Sequence, residues 1–419
     1  MEILVYIGIL AMALIGSPIF VIMGIFSLAA FHFAEIEASA VSVEIYRIAS
    51  APTLLTIPLF TFAGYVMAES KSPARLLRLA QASLGWLPGG VAIVGLVICA
   101  FFTAFTGASG VTIIALGGLL FPILTKEGYS EKFNLGIITT SGSLGLLFPP
   151  SLPIILYGII AKVDIDKLFM AGIVPGILLI VILGGWSIYN GTDSGTKVKF
   201  DLSELWLAVK EAKYEIPLPF IVLVGIYGGF TTPSEASAIT AFYVVIMECF
   251  LYKDIRFIKD LPKITKDSMT LVGAILLILC CALGLTNYLI DEEIPMKILD
   301  MMKTMITSKY MFLFTLNIFL LIVGCLMDIF SAIIVVVPLI LPIAEEFGVN
   351  PIHLAIIFLT NLEIGYITPP VGINLFISSF RFNKPVSELY KATLPFLFLM
   401  LIALMIITYV PSLTLFWFD

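Results

Sequence analysis

Long apolar runs separated by short charged segments fill almost the whole chain, and several of the runs are interrupted midway. The stretch Phe101 to Gly158 shows both features. It reads FFTAFTGASGVTIIALGGLLFPIL, then the turn TKEGYSEK, then FNLGIITTSGSLGLLFPPSLPIILYG. Two places in it cannot be ordinary helix. Thr106-Gly107-Ala108-Ser109-Gly110 is small and glycine-rich, and Pro149-Pro150 removes two backbone donors inside an apolar run. The same layout returns 220 residues later without a gap. Pro122, Gly128, Thr140, Gly145, Pro149 and Pro150 reappear as Pro342, Gly348, Thr360, Gly365, Pro369 and Pro370.

The pattern predicts an all-α polytopic membrane protein built from two inverted-topology repeats. Residues 3–33 are broken by Gly16-Ser17-Pro18, giving either one kinked helix or two short ones, and a span follows at 52–69. The run 88–124 has 37 positions, too few for two full spans and a turn, so a re-entrant hairpin with its tip at Thr106–Gly110 is expected. A broken helix at 133–160 and a span at 168–190 complete the first repeat, 1–190. The segment 191–214 is a linker in which Leu202, Leu205, Trp206 and Val209 share helical spacing, as in a helix lying on a membrane surface. The second repeat, 215–419, has a run broken near Thr231-Thr232-Pro233 and a span at 268–290. It continues with a hairpin at 310–345, a broken helix at 352–380 and a span at 391–417.

Composition agrees with this layout. Hydrophobic residues make up 60% and charged residues 12%, which excludes an ordinary soluble globule. The net charge of −6 is spread thinly and suggests no nucleic-acid partner. The 5 cysteines lie in apolar runs without metal or disulfide spacing, and the 2 histidines are isolated. The N-terminal run lacks a basic flank and reads as a retained span. Loops 70–87, 125–132, 191–213, 253–267 and 381–391 hold 17 of the 23 Lys and Arg, so they are expected on the cytoplasmic side. The first hairpin then opens inward and the second outward.

Non-helical backbone at membrane depth persists where it is buried in protein or lines a wet cavity. Paired interrupted segments in two halves point to a transporter binding site, with carbonyls suited to Na+ and half-helix N-termini suited to carboxylates. Glycine and proline are frequent in membrane helices, so any single break could be a packing kink. Four breaks paired by one offset argue otherwise. Three acids lie well inside apolar stretches: Glu235, Asp328 and Glu363. Glu235 in TTPSEASA is expected to cap a helix. Asp328 is either a ligand or gate at the second hairpin tip, or a helix cap. Glu363 has Ser143 as its repeat counterpart. Arg381, at the end of the last broken helix, is a weaker candidate for an anion contact and otherwise an interface anchor.

At these residues the chain resembles the large membrane subunit of the tripartite ATP-independent periplasmic (TRAP) transporters, the DctM type. The resemblance covers essentially all 419 residues. It is most specific in GSLGLLFPPSLPIILYG (142–158), GGFTTPSEASA (228–238), MDIFSAIIVVVPLILPI (327–343) and NLEIGYITPPVGINLF (361–376). It implies a Na+-driven, elevator-type importer of organic acids in the bacterial or archaeal inner membrane. It further implies a separate small four-helix membrane subunit, a periplasmic substrate-binding protein, and surrounding lipid. The sodium ligands it implies are Thr106, Gly107 and Ser109; Ser143, Gly145 and Pro149; Asp328 and Ser331; and Gly365 and Thr368. Thr106, Ser109, Ser151 and Asn374 are the implied substrate contacts. The chain departs from the family at both tips, with TGASGVT where SGSSAAT-like sequences are common and MDIFSAI where MDMTPAI-like ones are.

Other functions remain to be weighed against this one. A stand-alone elevator symporter would share the inverted repeats but need no partner. An intramembrane aspartyl protease would need a second aspartate in a span beside Asp328, and there is none. A passive channel fits two opposed hairpins poorly. No enzymatic chemistry is expected.

Overall fold

The computed structural model describes residues 5, 7–9, 11, 12, 15, 17–33, 43, 46, 50–87, 89–191, 200–293, 296, 297, 300, 306 and 308–418. All regular structure among these residues is helical. The first repeat holds α1 (Ile19–Phe33), α2 (Thr56–Glu69), α3 (Ser72–Leu84), α4 (Gly90–Thr106), α5 (Ser109–Lys126), α6 (Glu131–Ser141), α7 (Leu152–Ala161) and α8 (Ile165–Gly191). A short 3-10 helix, Leu144–Leu147, lies between α6 and α7. The linker helix is α9 (Leu202–Glu211). The second repeat holds α10 (Pro217–Tyr227), α11 (Pro233–Val245), α12 (Leu261–Asp291), α13 (Lys309–Leu326), α14 (Ile329–Glu346), α15 (Pro351–Gly365), α16 (Ile373–Phe382), α17 (Val386–Tyr409) and α18 (Ser412–Leu415). A π-helical turn, Ile246–Leu251, extends α11.

Seven of these helices are long and apolar enough to cross a membrane, or up to eight if the bent pair Glu131–Leu147 and Leu152–Ala161 counts as one span. The protein is a multi-pass membrane protein. α4 and α15, at 17 and 15 residues, fall short of a full crossing. Each is stopped by local sequence: Gly107 at the end of α4, and the Tyr366–Gly372 segment with its two prolines after α15.

The helices sort into two groups by packing. α1, α2, α11 and α12 pack on one another, with α10 against α11. The hairpins, broken helices, α8 and α17 form the other group, joined to the first through α2 against α4 and α7, and through α12 against α14. Within the second group the halves exchange partners. The return helix of each hairpin lies against the distal part of the other half's broken helix: α5 on α16, and α14 on α7. These two pairs are related by the 220-residue offset.

One expectation changes on the surface. The segment read as loop 70–87 contains α3, started by Pro73 in its first turn, where a missing N–H costs nothing. The linker helix packs on the protein through its small residues and leaves its large apolar residues outward. Ala208 and Ala212 are covered, with α9 packed along α3, while Leu202 and Trp206 stay exposed. Small residues let the two helices approach, and Arg78 pairs with Glu204 and Glu211 across them. Residues 34–42 and linker residues 192–199 lie outside the described residues, as does most of 294–307.

Candidate functional site

At each break the prolines deprive two carbonyls of their intrahelical partners, and the chain replaces those partners locally. The Gly145 carbonyl accepts from Phe148 N at 3.1 Å, and the Leu146 carbonyl accepts from Ser151 Oγ at 2.5 Å. In the second half the Gly365 carbonyl accepts from Thr368 N at 3.0 Å, and the Tyr366 carbonyl accepts from Asn374 N at 3.1 Å. Both Pro-Pro bonds are cis. A carbonyl with one donor keeps a lone pair free.

Each break is pressed against the inbound helix of its own hairpin. A Cβ on Gly145 would lie 2.5 Å from Ala104 N, and one on Gly365 would lie 2.5 Å from Gly324 Cα. Ala104 and Gly324 are again 220 residues apart. Only glycine permits this approach, because nearer than 3.0 Å a methyl must displace backbone. Further hydrogen bonds fix each tip to its break. Thr103 Oγ1 donates to the Gly142 carbonyl at 2.8 Å, Ile329 N donates to Tyr366 Oη at 2.8 Å, and Gly372 N donates to the Cys325 carbonyl at 3.2 Å.

Ser109 at the first tip and Asn374 after the second break, both expected as substrate contacts, are brought together. Ser109 Oγ donates to Asn374 Oδ1 at 2.7 Å, and Asn374 Nδ2 donates to the Thr139 carbonyl at 3.2 Å. Both side chains are buried, so this seam joins the halves at the core of the second group. Thr106 is buried too, with only a 3.5 Å contact to Ala108. Ser151 is not part of the seam, since its hydroxyl is turned to Leu146 in its own half. Ser143 Oγ donates to the Thr140 carbonyl at 3.3 Å, and Thr368 Oγ1 to the Ile364 carbonyl at 2.7 Å. Each of those hydroxyls keeps acceptor capacity.

Asp328 caps α14. Its Oδ1 accepts from Phe330 N at 3.0 Å and Ser331 N at 3.1 Å, and its Oδ2 accepts from Ser331 Oγ. Glu235 and Thr232 form a reciprocal capping box at the start of α11. Glu363 is different. It is fully buried, and neither carboxylate oxygen completes a hydrogen bond, although the Leu147 amide of the other half's break faces it. Asn361 Oδ1, two residues before Glu363, and Thr140 Oγ1, on the corresponding helix of the first half, are buried and likewise lack partners. Among the described residues, unmet oxygens occur on both helices that lead into the breaks, and also at Ser27, Tyr227 and Thr231.

A second polar centre escaped the sequence reading. Arg75 on α3 binds Glu215, Glu248 and Asp254, all from the second repeat. Ser72 Oγ reaches Glu248 at 2.6 Å and Glu215 at 3.0 Å, Tyr252 Oη donates to Glu215 Oε2 at 2.6 Å, and the guanidinium lies 3.7 Å from the Tyr252 ring centroid. Burial works against the charge on Arg75, but its hydrogen bonds to Asp254 and Glu215 outweigh that and raise its pKa further. Its acids lie 140 to 179 residues away in sequence. The one available signal was Glu248, an acid inside the apolar run VVIMECFL.

Residues 4–413 match the family described as tripartite ATP-independent periplasmic transporter, DctM component. The isethionate TRAP transporter permease protein DctMQ of Oleidesulfovibrio alaskensis is 38% identical over 87% of this chain, which spans 58% of that protein's length. The C4-dicarboxylate TRAP transporter large permease protein DctM of Pseudomonas aeruginosa is 34% identical, covering 91% of this chain and 90% of its own length. The ectoine TRAP transporter large permease protein TeaC of Halomonas elongata is 30% identical over 88% of this chain and 86% of its own. Among solved structures, the YdaH transporter of Alcanivorax borkumensis has the same fold, with a TM-score of 0.59 and 14% identity, over 90% of this chain and 88% of that one.

Proposed function

The chain belongs to the DctM family of TRAP transporter large permeases, and on that footing we propose that it carries an organic acid inward across the inner membrane, coupled to Na+. The observation that carries this reading is the Ser109–Asn374 seam, where a hairpin tip from one half meets a helix break from the other. A substrate held there contacts both halves at once. Relatives named for isethionate, C4-dicarboxylates and ectoine support a small organic acid as cargo.

Sodium fits the oxygens available. A hard monovalent cation takes carbonyl, hydroxyl and carboxylate ligands. The half-used carbonyls of Gly145 and Gly365 and the hydroxyls of Ser143 and Thr368 are of that kind. The partnerless Glu363 carboxylate supplies the negative charge that a buried cation needs. Asp328 and Ser331, already engaged with each other, contribute by holding the second tip in shape. The two packing groups support an elevator: the hairpin-containing group moves as a block along the group of α1, α2 and α10–α12. A small four-helix membrane subunit and a periplasmic binding protein complete the transporter. Loops 70–87, 191–213 and 253–267 face the cytoplasm.

The test is reconstitution. Liposomes containing this chain, its small subunit and the loaded binding protein should take up succinate or isethionate only under an inward Na+ gradient. The chain alone should show little uptake. Uptake that ignores the gradient would sink the coupling ion, and strong uptake by the chain alone would favour a stand-alone symporter. Labelling of a cysteine placed at 256 by a membrane-impermeant reagent in intact cells would reverse the orientation.

A further inference from the structure

We propose that Arg381 is the cationic contact that the anionic group of the cargo meets on the cytoplasmic side of the Ser109–Asn374 seam, a role that rests on the transport reading. α16 runs alongside α5 from that seam. Gly110 faces Ile377, Gly117 faces Phe382, and the Phe121 and Phe382 rings stack at 5.1 Å. Asn374, Ile377 and Arg381 stand at i, i+3 and i+7, so they form one stripe along the α5-facing side of α16. Asn374 and Arg381 are therefore about 10 Å apart along the helix axis.

Space on α5 is kept open for the guanidinium. A Cβ on Gly118 would come within 1.9 Å of Arg381 Nη2. Arg381 Nε donates to the Ile114 carbonyl at 3.0 Å, which fixes the group across α5. Ile114 lies within the apolar span Ser109–Lys126, five residues from its start and twelve from its end, or about 18 Å from the Lys126 end by helical rise. An ionised group beside an apolar helix normally faces a partner, a wet cavity or the bundle interior. Among the described residues no carboxylate pairs with Arg381. The nearest cation along the chain, Lys384, takes both Glu131 and Glu388. The remaining guanidinium donors are thus held in place, exposed and without an acid, on the stripe that begins at the substrate seam. A fixed guanidinium fork matches the planar oxygens of a carboxylate and also suits a sulfonate.

The experiment uses the assembled transporter in nanodiscs of neutral lipid, titrated with succinate and with isethionate against chloride at equal ionic strength, and read by thermal unfolding. At least one anion should stabilise the wild type. Arg381→Gln should weaken its apparent affinity roughly 10- to 150-fold, the range for a charged hydrogen bond, with unfolding in chloride unchanged. Gly118→Ala, which places a methyl where the guanidinium lies, should weaken it too, and Arg381→Lys should retain part of it. Neither anion stabilising the wild type would overturn the proposal, as would unchanged affinity in Arg381→Gln. An Arg381→Gln effect confined to nanodiscs of anionic lipid would instead make the residue a headgroup contact. Uptake separates this from the transport reading. A wild type that transports while Arg381→Gln keeps its KM defeats only the role of Arg381, whereas a wild type that transports neither acid defeats the reading beneath it.

Discussion

Among the described residues, acidic side chains are buried in two regions and handled in opposite ways. At Arg75, the carboxylates of Glu215 and Glu248 and the largely covered Asp254 converge on one guanidinium, with Ser72 and Tyr252 completing the set. At the breaks, Glu363 is buried with no completed hydrogen bond on either oxygen, and Thr140 and Asn361 have unmet oxygens as well. The first region costs desolvation energy and recovers it internally, which is how a fixed joint behaves. The second leaves the cost outstanding, which suits a site whose partner comes and goes. The contrast sets polar groups that satisfy one another against polar groups that do not.

The sharpest way to break the comparison is to remove the hub of the satisfied region. Arg75→Ala leaves three acids together without their cation, and losing one partner of a buried ion pair costs about 3–5 kcal/mol. Denaturation in detergent should show a loss of that order, with reduced yield of folded protein. A loss under about 1 kcal/mol would mean the cluster is not a joint. The next effect concerns the backbone of the site. Gly365→Ala places a methyl 2.3 Å from the Gly324 carbonyl carbon, so the second hairpin must shift. Overpacking of this kind costs about 1–3 kcal/mol and should lower the unfolding temperature. Stability equal to the wild type would show that the break can yield.

Two milder substitutions sharpen the comparison from the unsatisfied side. Thr368→Val removes one hydroxyl, and an unmet ligand position costs about 1–3 kcal/mol, or roughly a 5- to 150-fold rise in the Na+ concentration for half-maximal uptake. An unchanged Na+ dependence would take Thr368 out of the site. Glu363→Gln has the smallest expected effect on folding, within about 1 kcal/mol, because no completed hydrogen bond is lost. It should nevertheless abolish any rise in unfolding temperature when Na+ replaces choline. A variant that unfolds like Arg75→Ala would place Glu363 with the structural acids.

The helical architecture was legible because apolar runs and proline breaks are local signals. The packed pairs Gly145 with Ala104 and Gly365 with Gly324 obey the same 220-residue offset, each within one half, although the offset alone does not say what packs on what. Contacts between halves were not legible. Ser109 and Asn374 were each singled out, but the offset relates Ser109 to Ile329 and Asn374 to Ile154, so nothing in the repeat pairs them. The Arg75 cluster was missed for the same reason: its members come from three separate stretches, 72–75, 215 and 248–254, and Glu248 sits alone in an apolar run. The packing of α9 on α3 through Ala208 and Ala212 was not legible either, because small residues carry no apolar signal of their own.

The Arg75 cluster also sets a timetable for biogenesis. Its arginine belongs to the first repeat, while Glu215 follows 140 residues later and Glu248 173 residues later. At roughly 5–20 residues per second of synthesis, the ribosome needs on the order of 10–30 s to deliver those acids after Arg75 has emerged. During that interval the first repeat sits at the membrane with its cation unmatched, where water and lipid headgroups can solvate it. Burial of Arg75 therefore has to await the second repeat, and the Ser109–Asn374 seam, whose partners lie 265 residues apart, has to wait longer still.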